Sequence, residues 1–227
     1  MRWFTWTIAA TLACAPVLAD GDKTDERLNN AATLFSEVMG SPDRAIPQSL
    51  LDKSYCVVVV PGLKKAAVLV GAKYGRGYAV CRATSGQGWG PPAAIRIEGG
   101  SFGAQVGYSS SDVVLLIMNS GGMKRLTKSK FTIGAEATAA AGPVGRDVTA
   151  QTDAFVTAEI LSWSRSHGLF GGVSLDGATL RNDLDENQAI YGQRWTSKEI
   201  LASGARPIAA ADKLRDVLSK YSPRRVG

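Results

Sequence analysis

The sequence predicts an α+β fold: a largely antiparallel, glycine-rich β-sheet, open or barrel-like, with flanking N- and C-terminal helices. Three observations lead there. Short β-branched runs succeed one another between residues 55 and 175 without a helix between each pair, which argues against a doubly wound parallel sheet. Glycine contributes 25 of 227 residues, many of them between those runs, where turns and bulges call for it. Long stretches of helical periodicity stand only before and after this region.

Leu28, Ala31, Ala32, Phe35, Val38 and Met39 recur at three- and four-residue intervals, which predicts an amphipathic helix over 24–40. Asp25 and Glu26 suit its positive N-terminal end, and Gly40-Ser41-Pro42 stops it. A short helix is expected over 47–52. The period then changes to that of strands: 56–60, ended by Pro61-Gly62, then 66–71, then 77–81 after a turn at 73–76. Further strands are read at 93–97, 102–108 and 113–118, a short basic helix at 121–129, and strands at 131–140, 156–163 and 173–175. Helices are expected at 197–202 and 208–221, the latter with an apolar stripe of Ala211, Leu214, Val217, Leu218 and Tyr221. Residues 222–227 read as a frayed tail.

The first 19 residues stand apart. Arg2 precedes an apolar stretch that ends Val17-Leu18-Ala19 before the polar Asp20-Gly21-Asp22-Lys23. This reads as a secretory signal cut after Ala19, which would leave residues 20–227 as a single domain in the periplasm. An alternative is that Thr11-Leu12-Ala13-Cys14 acts as a lipobox and Cys14 carries a lipid anchor. No run beyond it is long and apolar enough to span a bilayer as a helix of roughly 20 residues.

Cys56 and Cys81 remain after such a cut. With the predicted strand 66–71 lying between theirs, their Cα atoms would be roughly 10 Å apart, twice the strand spacing, so two buried thiols are expected rather than a disulfide. Their spacing is not that of a metal site. The single histidine, His167, cannot build a histidine-rich metal site, and it has no nucleophile in a recognisable setting. Gly172-Val173-Ser174-Leu175-Asp176-Gly177 is not a nucleophile elbow, because the second glycine is displaced. The glycine-rich stretches at 71–77 and 99–103 lack the phosphate-loop pattern and read as turns. The expectation is therefore of no enzyme, no catalytic or metal-binding residue and no cofactor; a hydrolase using His167 stands as the remote alternative.

The net charge of +6 falls to +5 without Arg2. Such an excess permits attraction to anionic surfaces without naming one. Lys64, Lys65, Lys73 and Arg76 fall in two successive predicted turns, and Lys124, Arg125, Lys128 and Lys130 around the short helix. Cations converging on one face attract phosphate headgroups, while solvated surface lysines are the ordinary alternative. Aromatic residues do not interleave with these runs, which argues against nucleic acid.

Several ordered blocks resemble one family. They are residues 55–61, 64–71, Tyr74-Gly75-Arg76-Gly77, Gly88-Trp89-Gly90-Pro91-Pro92, Gly100-Ser101-Phe102-Gly103 with Gln105 and Gly107, 112–119, 131–135, 141–146 and 168–175. Together they resemble the SYLF family, also called the Ysc84 actin-binding domain, over about residues 28–192. The resemblance implies a lipid-binding module. Eukaryotic relatives resemble phosphoinositide and membrane binders, some of which also bind actin, and bacterial relatives are exported. The chain resembles the bacterial, exported members: no SH3 or FYVE partner domain stands in these 227 residues, and bacterial envelopes lack actin and generally phosphoinositides, so lipid binding transfers as an expectation and actin binding does not. On this basis the protein is expected to bind anionic lipid peripherally through Lys64, Lys65, Lys73 and Arg76. The alternative is a periplasmic protein-interaction module.

Overall fold

The computed structural model describes residues 19–41, 45–68, 70–83, 87–102, 107–144, 157–166, 169–172, 175–203, 206 and 208–225. Residues 1–18 with Cys14, the single histidine His167 and Arg146 lie outside them.

Helix α1 (Ala19–Gly40) is the first described element, followed by α2 (Gln48–Lys53). Among the described residues nine strands then form one sheet: β1 (Cys56–Val68), β2 (Val70–Cys81), β3 (Ala93–Phe102), β4 (Gly107–Ile117), β5 (Lys130–Thr132), β6 (Ala139–Ala141), β7 (Ile160–Ser166), β8 (Leu169–Gly172) and β9 (Thr179–Asn182). The spatial order is β5-β9-β3-β2-β1-β4-β7-β6, with β8 on β7. The described strand pairs are antiparallel, apart from β6 with β7. Helix α3 (Ser120–Leu126) lies between β4 and β5. The chain closes with α4 (Leu184–Tyr191), α5 (Ser197–Ser203) and α6 (Ala210–Tyr221).

Each face of the sheet has its own core, because strand side chains alternate. Val57, Val59, Tyr78, Val80, Val114, Leu116 and Trp163 point to one face and are covered by Leu28, Ala31, Phe35 and Val38 of α1 and by Leu214 and Leu218 of α6. The apolar stripe of α1 is thus spent on the core, with Leu28, Ala31, Ala32 and Phe35 fully buried. Val58, Val60, Ile95, Ile97, Val113, Leu115 and Ile117 point to the other face, around which the sheet curls into a half-barrel. Residues from both ends of the strand order, Phe131 and Leu180 at one and Ile160 at the other, meet in that second core.

The α+β class and the antiparallel sheet agree with the sequence expectation, but several local features differ. The expected strands 56–60, 66–71 and 77–81 are two long strands, paired from Cys56 with Cys81 to Val68 with Val70. Pro61-Gly62 is a bulge inside β1 and not a turn: the register shifts between Val59 and Lys64, and Gly62 takes φ 62°, a conformation glycine adopts without strain. Gly77 lies opposite this irregularity, where an added Cβ would come within 2.2 Å of the Val59 carbonyl oxygen. The segment read as the turn 73–76 therefore runs through β2.

The cysteines are corrected with it. With no strand between them, Cys56 and Cys81 are direct cross-strand partners, 3.9 Å apart at Cα, and form a disulfide. The strand expected over 131–140 is interrupted: β5 and β6 flank a turn with Gly134 at φ 84°. Helix α4 has no counterpart in the sequence reading. The tail expected to fray is docked through residue 225: Ser222 is fully buried, Arg224 bridges Gln87, and the Arg225 guanidinium lies 3.8 Å from the Tyr55 ring centroid.

Candidate functional site

The predicted cations do not gather on one face. Alternation along β1 and β2 sends Lys64 and Arg76 to the α1-covered face and Lys65 and Lys73 to the other. Lys65 and Lys73 are direct cross-strand partners, as are Lys64 and Tyr74.

Arg76 enters a buried ionic network. Its Nε lies 2.6 Å from Asp183 Oδ2, and its Nη1 3.5 Å from Glu186 Oε2. Arg27 of α1 donates through Nε to Glu186 Oε1 at 3.0 Å and pairs a second time with Oε2. Tyr78 donates its hydroxyl to Glu186 Oε1 at 2.6 Å. Burial opposes the charge of each arginine, but the carboxylates outweigh it and hold Arg27 and Arg76 above their ordinary pKa. Burial, and next the Glu186 carboxylate, push the Tyr78 phenol strongly upward. This cluster pins α1 and α4 to β2.

A similar cluster pins the C-terminal part of α1 to the opposite side of the bulge. Arg165 of β7 donates to Asp112 Oδ2 from Nη2 at 2.7 Å and from Nε at 2.9 Å, and also pairs with Glu37 of α1. Asp112 Oδ1 in turn accepts the Gly62 N–H at 2.9 Å, which fixes the bulge.

Between these clusters, α1 and the sheet enclose a cleft of about 650 Å³ lined by Arg27, Leu34, Lys64, Tyr74, Arg76 and Arg165, among others. Its arginines are matched by Glu37, Asp112, Asp183 and Glu186. An anionic ligand there would have to compete with four protein carboxylates, so the cleft is a poor phosphate site in spite of its arginines.

The balance changes beyond the cleft, toward the Val68–Val70 end of the hairpin. Lys64, Lys65 and Lys73 form no ion pair among the described residues. Burial and then the neighbouring Lys73 charge lower the Lys65 pKa. Two like charges side by side, without a carboxylate, are a cost that an incoming anion relieves. On the same end Tyr74 is 45 % and Tyr108 68 % exposed. The aromatic members of the site were missed in the sequence because only the β1–β4 pairing, Ala66 with Tyr108, brings residue 108 beside the lysines.

A sequence model described as Ysc84, Las17-binding protein actin regulator, matches residues 98–221, from β3 through α6. The chain belongs to the Ysc84 family. The Ysc84-family chain is 32 % identical over 186 residues to LAS seventeen-binding protein 3 of Saccharomyces cerevisiae, covering 81 % of this chain and 40 % of the yeast protein. It is 30 % identical over 193 residues to the human SH3 domain-containing YSC84-like protein 1, covering 84 % of this chain and 56 % of the human one. An SH3 domain-containing protein of Schizosaccharomyces pombe is 34 % identical over 177 residues, 77 % of this chain and 41 % of that one. The chain thus spans about half the length, or less, of these curated relatives. Among the described residues no group of His, Cys, Asp and Glu is placed to hold a metal, and no helix is long and apolar enough to cross a membrane.

Proposed function

We propose that this Ysc84-family chain is a non-enzymatic, peripheral binder of anionic lipid surfaces, acting after export. The observation that carries this reading is the unneutralised trio Lys64, Lys65 and Lys73 at one end of a long hairpin. Juxtamembrane cations contribute about 1 kcal/mol each near an anionic leaflet. Arg76, expected from sequence to join them, serves the α1–α4 ionic network instead, so binding falls to the three lysines. The names of the relatives, which refer to binding or to an SH3 domain and not to a reaction, support the non-enzymatic part.

Flotation with phosphatidylcholine vesicles of increasing phosphatidylglycerol content tests the reading. Binding is expected to rise with anionic content and fall with salt. Replacing Lys64, Lys65 and Lys73 together by Ala should weaken it by about a hundredfold, three losses of about 1 kcal/mol. Lipid-independent behaviour would sink the proposal. It would favour a protein partner, the reading to which the name of the yeast relative points.

A further inference from the structure

A second group of cations lies apart from the lysine trio. Around α3, Arg125 pairs with Glu159 and Lys128 with Glu136, while Lys124 and Lys130 form no ion pair among the described residues. Lys130 stands in β5, and strand register carries it into a row. Arg76 is the Cα partner of Arg96, Arg96 of Arg181, and Arg181 of Lys130. Their chain neighbours Ile95, Ile97, Phe131 and Leu180 fill the inner core, so Arg96, Arg181 and Lys130 point to the opposite, outer face. The row crosses β2, β3, β9 and β5, about 14 Å at roughly 4.8 Å per strand. Arg76 is held by Asp183 and Glu186, but the other three cations share one carboxylate: Glu98 lies 3.5 Å from Arg96 Nε and 3.2 Å from Arg181 Nη1. Like charges directly opposite one another destabilise a sheet, and core packing does not call for the outer two, since Arg181 is 46 % exposed and Lys130 is exposed as well. The next row on the same face is Tyr74, Glu98, Thr179 and Thr132. There the Thr132 and Thr179 hydroxyls lie 3.2 Å apart. A line of cations thus runs beside a line of hydroxyl groups.

We infer that these two rows form a binding surface for an acidic polysaccharide, whose uronate carboxylates meet Arg96, Arg181 and Lys130 and whose hydroxyls meet Thr132, Thr179 and Tyr74. The inference goes beyond the lipid-surface reading and uses none of the lysine trio. Three features select this occupant. Guanidinium forks take a carboxylate through two parallel hydrogen bonds, and the adjacent hydroxyls suit a chain that carries alcohols beside its acids. Strands β3 and β9 are each paired on both sides, so this face offers an acidic peptide none of the main-chain partners that strand addition uses. Glu98 within the rows, and Glu136, whose Oε1 accepts the Thr132 N–H at 3.1 Å, would confront a continuous anionic bilayer, whereas a narrow chain follows the cations past them.

The test is calorimetric titration of the protein with oligogalacturonate at low salt, with neutral dextran and poly-glutamate as comparison polymers. Oligogalacturonate should bind, less tightly as salt is added, and dextran should not. The pair Arg181→Ala and Lys130→Ala should weaken binding about tenfold, with thermal unfolding unchanged because both side chains are exposed. The pair Thr132→Val and Thr179→Val should weaken it severalfold while keeping the charge and the shape of the face; Thr132→Val alone serves if the double variant unfolds. Replacing Lys64, Lys65 and Lys73 together by Ala should leave glycan binding as it was, which separates this surface from the lipid one. Poly-glutamate that binds as tightly as oligogalacturonate would overturn the inference in favour of an acidic polypeptide. Absence of binding to oligogalacturonate, or binding that survives the Arg181 and Lys130 replacements, would overturn it outright and leave the lipid reading standing.

Discussion

Lys65 and Lys73 share a rung of the β1–β2 hairpin, and the pKa of Lys65 is lowered by burial and by the adjacent Lys73. Because the folded pKa lies below the unfolded one, the charged form of Lys65 opposes folding. That penalty is complete below the folded pKa and is relieved as pH rises from there to the unfolded value of 10.5. Lys73→Ala should therefore raise the Lys65 pKa toward its ordinary value, which an NMR titration of the Lys65 ε-carbon would read. Binding to phosphatidylglycerol vesicles should move it the same way. An unchanged titration in Lys73→Ala would mean that the two ammonium groups diverge in solution.

At the scale of elements, the hairpin is closed at its base by Cys56–Cys81, across a sequence separation of 25 residues. Restricting the unfolded chain over a loop of that size stabilises by about 3 kcal/mol. The double variant Cys56→Ala/Cys81→Ala should lose about that much in denaturant unfolding, with vesicle binding retained at temperatures where it stays folded. A loss well under about 1 kcal/mol would show that the paired strands alone hold the register. Helix α4 illustrates a different kind of element, one organised by polar groups. Asp183 caps it by accepting from the Glu186 N–H at 3.4 Å, Glu186 binds Arg27 and Tyr78, and the Asn187 side-chain oxygen accepts the Ala94 N–H at 2.7 Å. Its inward face carries Glu186 and Asn187 where a hydrophobic pattern would carry leucines, so apolar periodicity did not reveal it. The signals that could have done so are Asp183 followed three residues later by Glu186, and Gly192 at the end.

Across the whole molecule, the C-terminal tail fastens the Cys56–Cys81 end of the hairpin. Arg82 donates to the Ser222 carbonyl from Nη1 at 2.6 Å and to the Leu51 carbonyl from Nη2 at 3.1 Å, and lies 3.8 Å from the Trp89 ring centroid. The Trp89 Nε1–H donates to the same Ser222 carbonyl at 2.9 Å. Burial, with Arg225 adding to it and Asp52 opposing, brings the Arg82 pKa down to about 10. Arg82→Ala removes charge-assisted bonds from α2, the β2 end and the tail together. It should cost about 3 kcal/mol and speed proteolysis after α6; unaltered unfolding and cleavage would show that the tail docks without it.

The sequence by itself determined the antiparallel strand character of residues 56–117, the apolar stripes of α1 and α6, and the family blocks, because these depend on residue type and local spacing. It could not determine register. Pro61-Gly62 and Tyr74-Gly75 have the composition of turns, and only pairing with β4 on one side and β3 on the other makes them a bulge and a continuous strand. From that register follow the partnership of Cys56 with Cys81, the transfer of Arg76 to Asp183, and the meeting of Tyr108 with the lysines. Each is a contact between residues distant in the chain, and a strand slipped by one position would turn every one of these side chains to the other face.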